Sequence, residues 1–436
     1  MKRNIIANYL GAICVALAPV LALPCYLSSL GPELYGLIGF VALVQALMGL
    51  LDAGMAQALV RAFAVQIGVG VGVGVGVGVG AGAGAGSRGG AADLLLGFER
   101  MYWGFAFGAG ALIFLFSHDI ATHWLVLGKV SANQGQYALW GAAAIFMLQF
   151  PGSVYRSVLV GAQAQVRLNS LLAFAAVLRH LGGVVVVSLW PTLEAYLLWH
   201  ALIAGLETLL RAGLAWHTLG AKRRKSRWDD VQMRHLWKTV AGMSAATWLG
   251  ALTVQMDKIL VSKMVDIEQF GYYTIAATVA TGLLQLVYPL MQAALPRAVQ
   301  LRDDALGLRR LSVRLSGIFA LLVVGGGLGF AVLGKWVLAL WLKDQVAVEF
   351  VYPILSLLLV GTALNALYNV GYMHWVVHEK TQRIMQVNAL ALLLSLLLIP
   401  PLVIAYGPIG AAFGWLTINM IGLVLSLEWL KKSSHV

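Results

Sequence analysis

The sequence predicts an all-α integral membrane protein that crosses the bilayer about twelve times, at the ~20 apolar residues each crossing needs. Three observations carry this. Of 436 residues, 60% are hydrophobic and 11% charged, with a mean hydropathy of +0.83, whereas soluble domains carry about 25% charged residues. The apolar residues fall into blocks of about twenty, and the basic residues collect in alternate connections between them. This argues against a soluble enzyme or a nucleic-acid-binding protein, despite a formal net charge of +12.

The first two spans are expected at 7–29 and 35–58. Lys2 and Arg3 precede the first, which is long enough to stay in place as a span rather than be cleaved as a signal. Cys14 and Cys25 both fall within it, about three helical turns apart, and support neither a disulfide nor a metal site. An alternating Val-Gly and Ala-Gly tract follows Ile67 and accounts for much of the glycine count of 49. Glycine at every second place weakens helix and strand alike, so 67–90 is expected as a flexible cytoplasmic loop. Gly84, Gly86 and Gly89 fit the dinucleotide-binding spacing, but a membrane span follows where a βαβ unit is required. No Walker A sequence occurs, which removes ATP hydrolysis as the energy source.

Spans three to six are expected at 94–116, 137–160, 168–190 and 194–217, and seven to twelve at 240–262, 271–295, 313–334, 351–373, 384–405 and 409–428. Charge sets the orientation. With the N-terminus inside, the cytoplasmic connections hold the cluster from Lys222 to Lys238, then Arg297, Arg302, Arg309, Arg310, Arg314, Lys380 and Arg383, with Lys431 and Lys432 at the tail. The outer side holds only Lys129, Lys263, Lys335 and Lys343. Both termini are therefore expected in the cytoplasm. The outer connections are too short to fold as a catalytic domain.

The basic stretch 221–238 divides the chain into two six-helix bundles, 1–220 and 239–436. A weak internal repeat agrees. Tyr35-Gly36 follows span one and Phe270-Gly271 follows span seven, each beginning a span that ends near an arginine, Arg61 or Arg297. Gly161 to Gln165 then Asn169 corresponds to His378 to Gln382 then Asn388. Both halves start from the same side, so the repeat is parallel.

Asn8, Pro19, Pro24, Leu30-Gly31, Tyr35-Gly36, Asp52 with Gly54, and Arg61 resemble the Wzx-type oligosaccharide-lipid flippases of the MATE-like superfamily. So do Glu99 to Trp103, Leu148 to Pro151, Gly161 to Gln165 with Asn169, Gln255 to Lys258, and Phe270 to Tyr273. The resemblance spans nearly the whole chain, although each motif is short. It implies two bundles forming a V around a central cavity, opened alternately to either side. The implied substrate is an undecaprenyl-pyrophosphate-linked oligosaccharide flipped from the cytoplasmic to the periplasmic leaflet of the bacterial inner membrane. Other implied partners are membrane lipids, and the polymerase and chain-length regulator of the same route. The family's usual charged loop between spans two and three is here replaced by the glycine tract.

Charges at bilayer depth cost about 2.5–3.5 kcal/mol each on insertion scales and so mark work or pairing. Arg179, midway along span five, is the first candidate for binding an anionic substrate, its alternative being an ion pair with a neighbouring helix. Arg156, five residues after Pro151, lines a cavity or snorkels. Lys258 is a candidate anion contact and its neighbour Asp257 a candidate ion-coupling carboxylate, unless both reach interfacial water. Asp52 and Arg61 are candidates for a cytoplasmic gate or entrance contact, or simply solvated end charges. Glu207 and Arg211, at i and i+4 with the acid first, read as a structural ion pair. His118, Asp119 and His123 match no zinc signature, and His180 reads as a packing residue. No metal and no cofactor are expected beyond a coupling H+ or Na+.

Two other functions remain. A MATE-type cation-coupled drug or metabolite antiporter shares the architecture but favours acidic residues in its cavity, where the mid-membrane charge of the first half is mainly arginine. A polysaccharide polymerase or ligase would carry a large periplasmic loop, absent here. A non-enzymatic transporter is the expectation.

Overall fold

A computed structural model describes residues 2–52, 55–68, 88–220 and 248–430. Most of the glycine loop expected at 67–90, and the basic linker expected at 221–238, lie outside them. The described chain is helical, with α1 (Lys2–Leu30), α2 (Pro32–Gly49), α3 (Met55–Gln66), α4 (Arg88–His123), α5 (Ala132–Gln149), α6 (Gly152–Gly161) and α7 (Gln165–Leu189). Then come α8 (Leu193–Leu219), α9 (248–264), α10 (Ile267–Gln300), α11 (Ala305–Leu342), α12 (Gln345–Val377), α13 (Thr381–Tyr406) and α14 (Pro408–Ser426). Among the described residues the only β pairing is an isolated bridge between Val126 and Asp266.

Among the described residues ten segments are long and apolar enough to cross a membrane. The two other expected spans correspond to α9, described from residue 248 onward, and α10, a continuous helix. Two expected spans are not continuous. The second stops at Gly49, passes through a 3₁₀ turn over Leu50–Asp52 and resumes as α3. The fourth breaks where Pro151 occupies the N-cap of α6, because proline lacks the N–H that would extend α5. Pro19, Pro24, Pro353, Pro400 and Pro401 stay inside helices, as membrane helices tolerate.

The chain divides into two compact units. One comprises Met1–Ala18, Val44–Asp119 and Gln136–Trp248, the other Pro19–Leu43, Ile120–Gly135 and Leu249–Val436. In the first unit α6 packs against α3 and α8, and α7 against α8, over a core that includes Phe63, Phe98, Tyr102, Phe146 and Tyr155. In the second, α12 packs against α10, α11 and α14, and one of its clusters holds Leu308, Phe319, Val370 and Met373.

The repeat recurs in atomic detail. In the first unit Gly11 of α1 lies so close to Asn169 of α7 that a Cβ on it would sit 3.0 Å from the Asn169 Cβ. In the second, a Cβ on Gly250 of α9 would sit 3.1 Å from Asn388 Nδ2 of α13. The α6–α7 and α12–α13 turns also share one hydrogen-bond pattern: Ala162, Gln163 and Ala164 N–H groups donate to Val158, Val160 and Leu159, and His378, Glu379 and Lys380 to His374, Val376 and Trp375. Each turn places a non-glycine residue in the left-handed region, Gln163 and Glu379, both at φ 56°. The matching register is therefore Ala162 with His378, one residue away from the alignment of Gly161 with His378.

Within the second unit the glycines of the first matched pair meet. A Cβ on Gly36 would fall 1.9 Å from the Ile267 carbonyl oxygen, and one on Gly271 2.9 Å from that of Pro32. Small residues permit such close backbone approach between membrane helices. Nearby, Ile267 N–H donates to the Val126 carbonyl at 2.9 Å, and Trp124 Nε1 donates to Ser262 Oγ at 3.1 Å while Lys263 Nζ lies over its ring. Gly36→Val is expected to force this crossing apart, because the clash is with backbone. A cysteine placed at Ile267, buried in the wild type, should then label at least several-fold faster with a membrane-impermeant maleimide. Unchanged labelling would show that the crossing absorbs the extra bulk.

Candidate functional site

The first unit holds the densest set of buried charges. Arg179 on α7 donates through Nη2 to Glu207 Oε2 on α8 at 2.5 Å, and Arg211, one turn further along α8, donates to Glu207 Oε1. The three side chains are 16%, 7% and 10% exposed for Arg179, Glu207 and Arg211. Arg179 is therefore not a lone charge: one carboxylate serves two guanidiniums, leaving the cluster at +1. Local packing places it. Trp199 Nε1 on α8 donates to the Arg179 carbonyl at 3.0 Å, joining α7 to α8 at this level. Gly152, just after the Pro151 break, makes room for Arg211, since a Cβ there would sit 2.8 Å from Arg211 Nη1.

Three polar atoms of α7 and α8 in this region are buried without a hydrogen-bond partner among the described residues: Arg179 Nε, Arg211 Nε and Thr208 Oγ1. Beyond them, His180 and His200 stand edge to face with centroids 5.7 Å apart, and His200 stacks on Tyr196.

Asp52 anchors a second constellation. Its Oδ1 accepts from Tyr102 on α4 at 2.5 Å, and its Oδ2 from Ser153, which the Pro151 break places at the start of α6. Arg156, exposed on α6, lies within electrostatic reach of both Asp52 and Arg211. It thus links the two constellations. Arg61 is exposed on α3 and joins neither. Tyr102, within the Glu99 to Trp103 stretch, and Ser153 carry no charge, and only a hydroxyl's proximity to the Asp52 carboxylate reveals their role.

In the second unit Asp257 on α9 is buried and accepts from Tyr273 on α10 at 2.6 Å. Lys258 Nζ approaches Asp257 Oδ1 to 3.6 Å, so the two neighbours do form an ion pair. Carboxylate, ammonium and the Tyr273 hydroxyl form one group within this unit. His123 Nδ1 shares a hydrogen bond with Thr122, and no group of three or more metal-ligating side chains occurs among the described residues.

The arrangement can bind an anion. Two guanidiniums on adjacent helices present forked donors suited to phosphate, with a net positive charge at a depth where uncompensated charge is costly. Its only acid is already engaged.

Residues 105–349, more than half of the chain, match the profile of a family described as polysaccharide biosynthesis protein. No curated protein matches the sequence significantly. Among solved structures, the lipid II flippase MurJ in an inward closed conformation is similar with a TM-score of 0.73 at 12% identity, covering 98% of this chain and 87% of that one. The MATE transporter VcmN of Vibrio cholerae gives 0.66 at 14%, covering 98% and 95%. A MOP superfamily transporter from Pyrococcus furiosus, described as having a binding pocket of reverse polarity, gives 0.58 at 14%, covering 98% and 94%. At these identities the likeness is one of fold.

Proposed function

The chain belongs to the polysaccharide biosynthesis protein family, and on that footing we propose that it is a flippase for undecaprenyl-pyrophosphate-linked oligosaccharide. The substrate passes from the cytoplasmic to the periplasmic leaflet by alternating access, with energy drawn from an ion gradient and no covalent step. The observation that carries this reading is the Arg179–Glu207–Arg211 cluster, a buried net positive charge with donors left over. Arg179 and Arg211 bind the diphosphate, Arg156 extends the positive surface toward Asp52, and Arg61 and Lys258 are further anion contacts. Asp52 and Asp257, each held by a tyrosine hydroxyl, are the candidates for ion coupling. On this reading the chain sits in the inner membrane of a bacterium with both termini in the cytoplasm, an orientation that the basic connections support. The polymerase and chain-length regulator of the same route are its expected neighbours.

The buried carboxylates with tyrosine partners also suit the second reading, a MATE-type antiporter for cations. In a deletion strain the two part company. The flippase reading expects the lipid-linked oligosaccharide to accumulate on the cytoplasmic leaflet. An oligosaccharide that reaches the periplasmic leaflet normally would sink it, and loss of drug efflux in the same strain would establish the antiporter.

A further inference from the structure

The i, i+4 spacing makes Glu207 and Arg211 a structural pair; the tertiary contacts give Glu207 a second partner and a different role. Resting on the flippase reading, we propose that Glu207 is a proton-binding counterion which the diphosphate of the substrate displaces, so that each anion bound takes up one proton.

Three observations support this. First, Glu207 occupies donors on both guanidiniums, Arg179 Nη2 and an Arg211 Nη, which are the groups a diphosphate would need. Second, the two Nε atoms are buried with no hydrogen-bond partner among the described residues and belong to the same two guanidiniums that Glu207 holds, so an anion satisfying them would compete for the groups that Glu207 occupies. Third, the charge does not balance otherwise. With the substrate absent the cluster stands at +1, from two arginines and one glutamate, the nearby Arg156 being offset by the Asp52 carboxylate that it faces. A diphosphate diester brings two negative charges, which the two arginines match. An ionised Glu207 would then be a surplus negative charge, buried, stripped of both partners and facing an anion. Desolvation and like charge both favour the neutral acid under those conditions.

The step is an uptake of one proton from water by the Glu207 carboxylate, while the guanidinium N–H donors pass from that carboxylate to the phosphate oxygens. No bond of the substrate breaks. When the anion leaves on the other side, Glu207 pairs again with Arg179 and Arg211 and releases the proton. The proton therefore travels with the anion and halves the negative charge carried, from two to one. This role is separate from that of the gradient-coupling candidates Asp52 and Asp257.

The groups facing Glu207 narrow the assignment. From α7 come Arg179 and His180, from α8 itself Arg211 and His200, and from α6 Arg156, which reaches Arg211 electrostatically. Helix α5, seated against α8 through Gly141 and Leu148, brings no acidic or basic side chain. Glu207 is the only acid in the set. Of the remaining groups only the two histidines carry a side chain whose ordinary range lies near neutrality.

The test uses the full chain in detergent with farnesyl-diphosphoryl-N-acetylglucosamine, a diester whose two charges do not titrate near neutrality, and farnesyl N-acetylglucosaminide as the neutral control. Calorimetry in buffers of different ionisation enthalpy reads the proton directly. In the wild type Kd for the diester should weaken toward about tenfold per pH unit, with one proton taken up, as linkage requires. The neutral control should bind more weakly and without pH dependence. Glu207→Gln, which keeps an acceptor for one arginine, should bind the diester with no slope and no proton uptake, and Glu207→Asp should restore both. His180→Asn combined with His200→Asn should leave the slope intact, an arm that holds even if Glu207→Gln is poorly made. Diester binding in the wild type with no slope would overturn the proposal and leave the flippase reading standing. A slope that survives in Glu207→Gln, or disappears with the histidines, would overturn it as well. Equal binding of diester and neutral control would bring down the anionic substrate and this proposal together.

Discussion

Arg179→Ala is expected to lower export by on the order of 100-fold, the loss of two charge-assisted hydrogen bonds at about 1.5 kcal/mol each, while membrane levels stay near those of the wild type. The contrast between activity and abundance follows from the geometry. Without Arg179, Glu207 still has Arg211 one turn away on its own helix, so no carboxylate is orphaned and α8 stays neutral at that level. What disappears is the surplus positive charge that attracts the anion. Arg179→Lys should keep part of the activity, since it retains the charge but not the forked donors. Export assayed beside immunoblotting of membranes checks both halves. Normal export by the alanine variant would remove Arg179 from the mechanism.

Glu207→Ala should behave in the opposite way, with folded protein lost along with activity. Removing it leaves two buried guanidiniums, at 16% and 10% side-chain exposure, with no acid between α7 and α8. Breaking a buried pair by deleting one partner costs about 3–5 kcal/mol, a large share of a membrane bundle's stability. Replacing all three charges by methionine should restore abundance, because the desolvation cost then falls away together with the pairing, yet it should not restore export. Fluorescence-detected size exclusion of solubilised membranes measures this. An alanine variant with wild-type abundance would mean that water already reaches the arginines.

The two variants mark where sequence reading stops. That Arg179 is exceptional follows from its position alone, since an arginine in the middle of an apolar run has few cheap environments. Its partner does not follow, because Glu207 lies on another span and reads locally as belonging to Arg211. The repeat shows the same limit. Asn169 and Asn388 each follow the matched turn, about one helical turn out of register with each other, and their glycine partners, Gly11 and Gly250, come into view only when α7 meets α1 and α13 meets α9. Ser153 carries no signal in the sequence, and Tyr102 only as part of the Glu99 to Trp103 stretch; the carboxylate of Asp52 gives both their place. Pro151 did carry one, and the break it makes at the start of α6 is where Ser153 and Gly152 find their places.

What the sequence determined by itself is the class, an all-helical chain of repeated apolar crossings, and the doubling of one pattern of spans. Those properties depend on local composition and on which residues tolerate hydrocarbon, and both are written along the chain. Tertiary structure alone decided which charge answers which, that the glycines of the first matched pair meet at the crossing of α2 and α10, and that one glutamate holds two arginines. In a bilayer the burial of apolar surface scarcely distinguishes one helix neighbour from another, so partners are chosen by close packing and by the need to neutralise each charge. Those are properties of pairs of helices, and no single helix contains them.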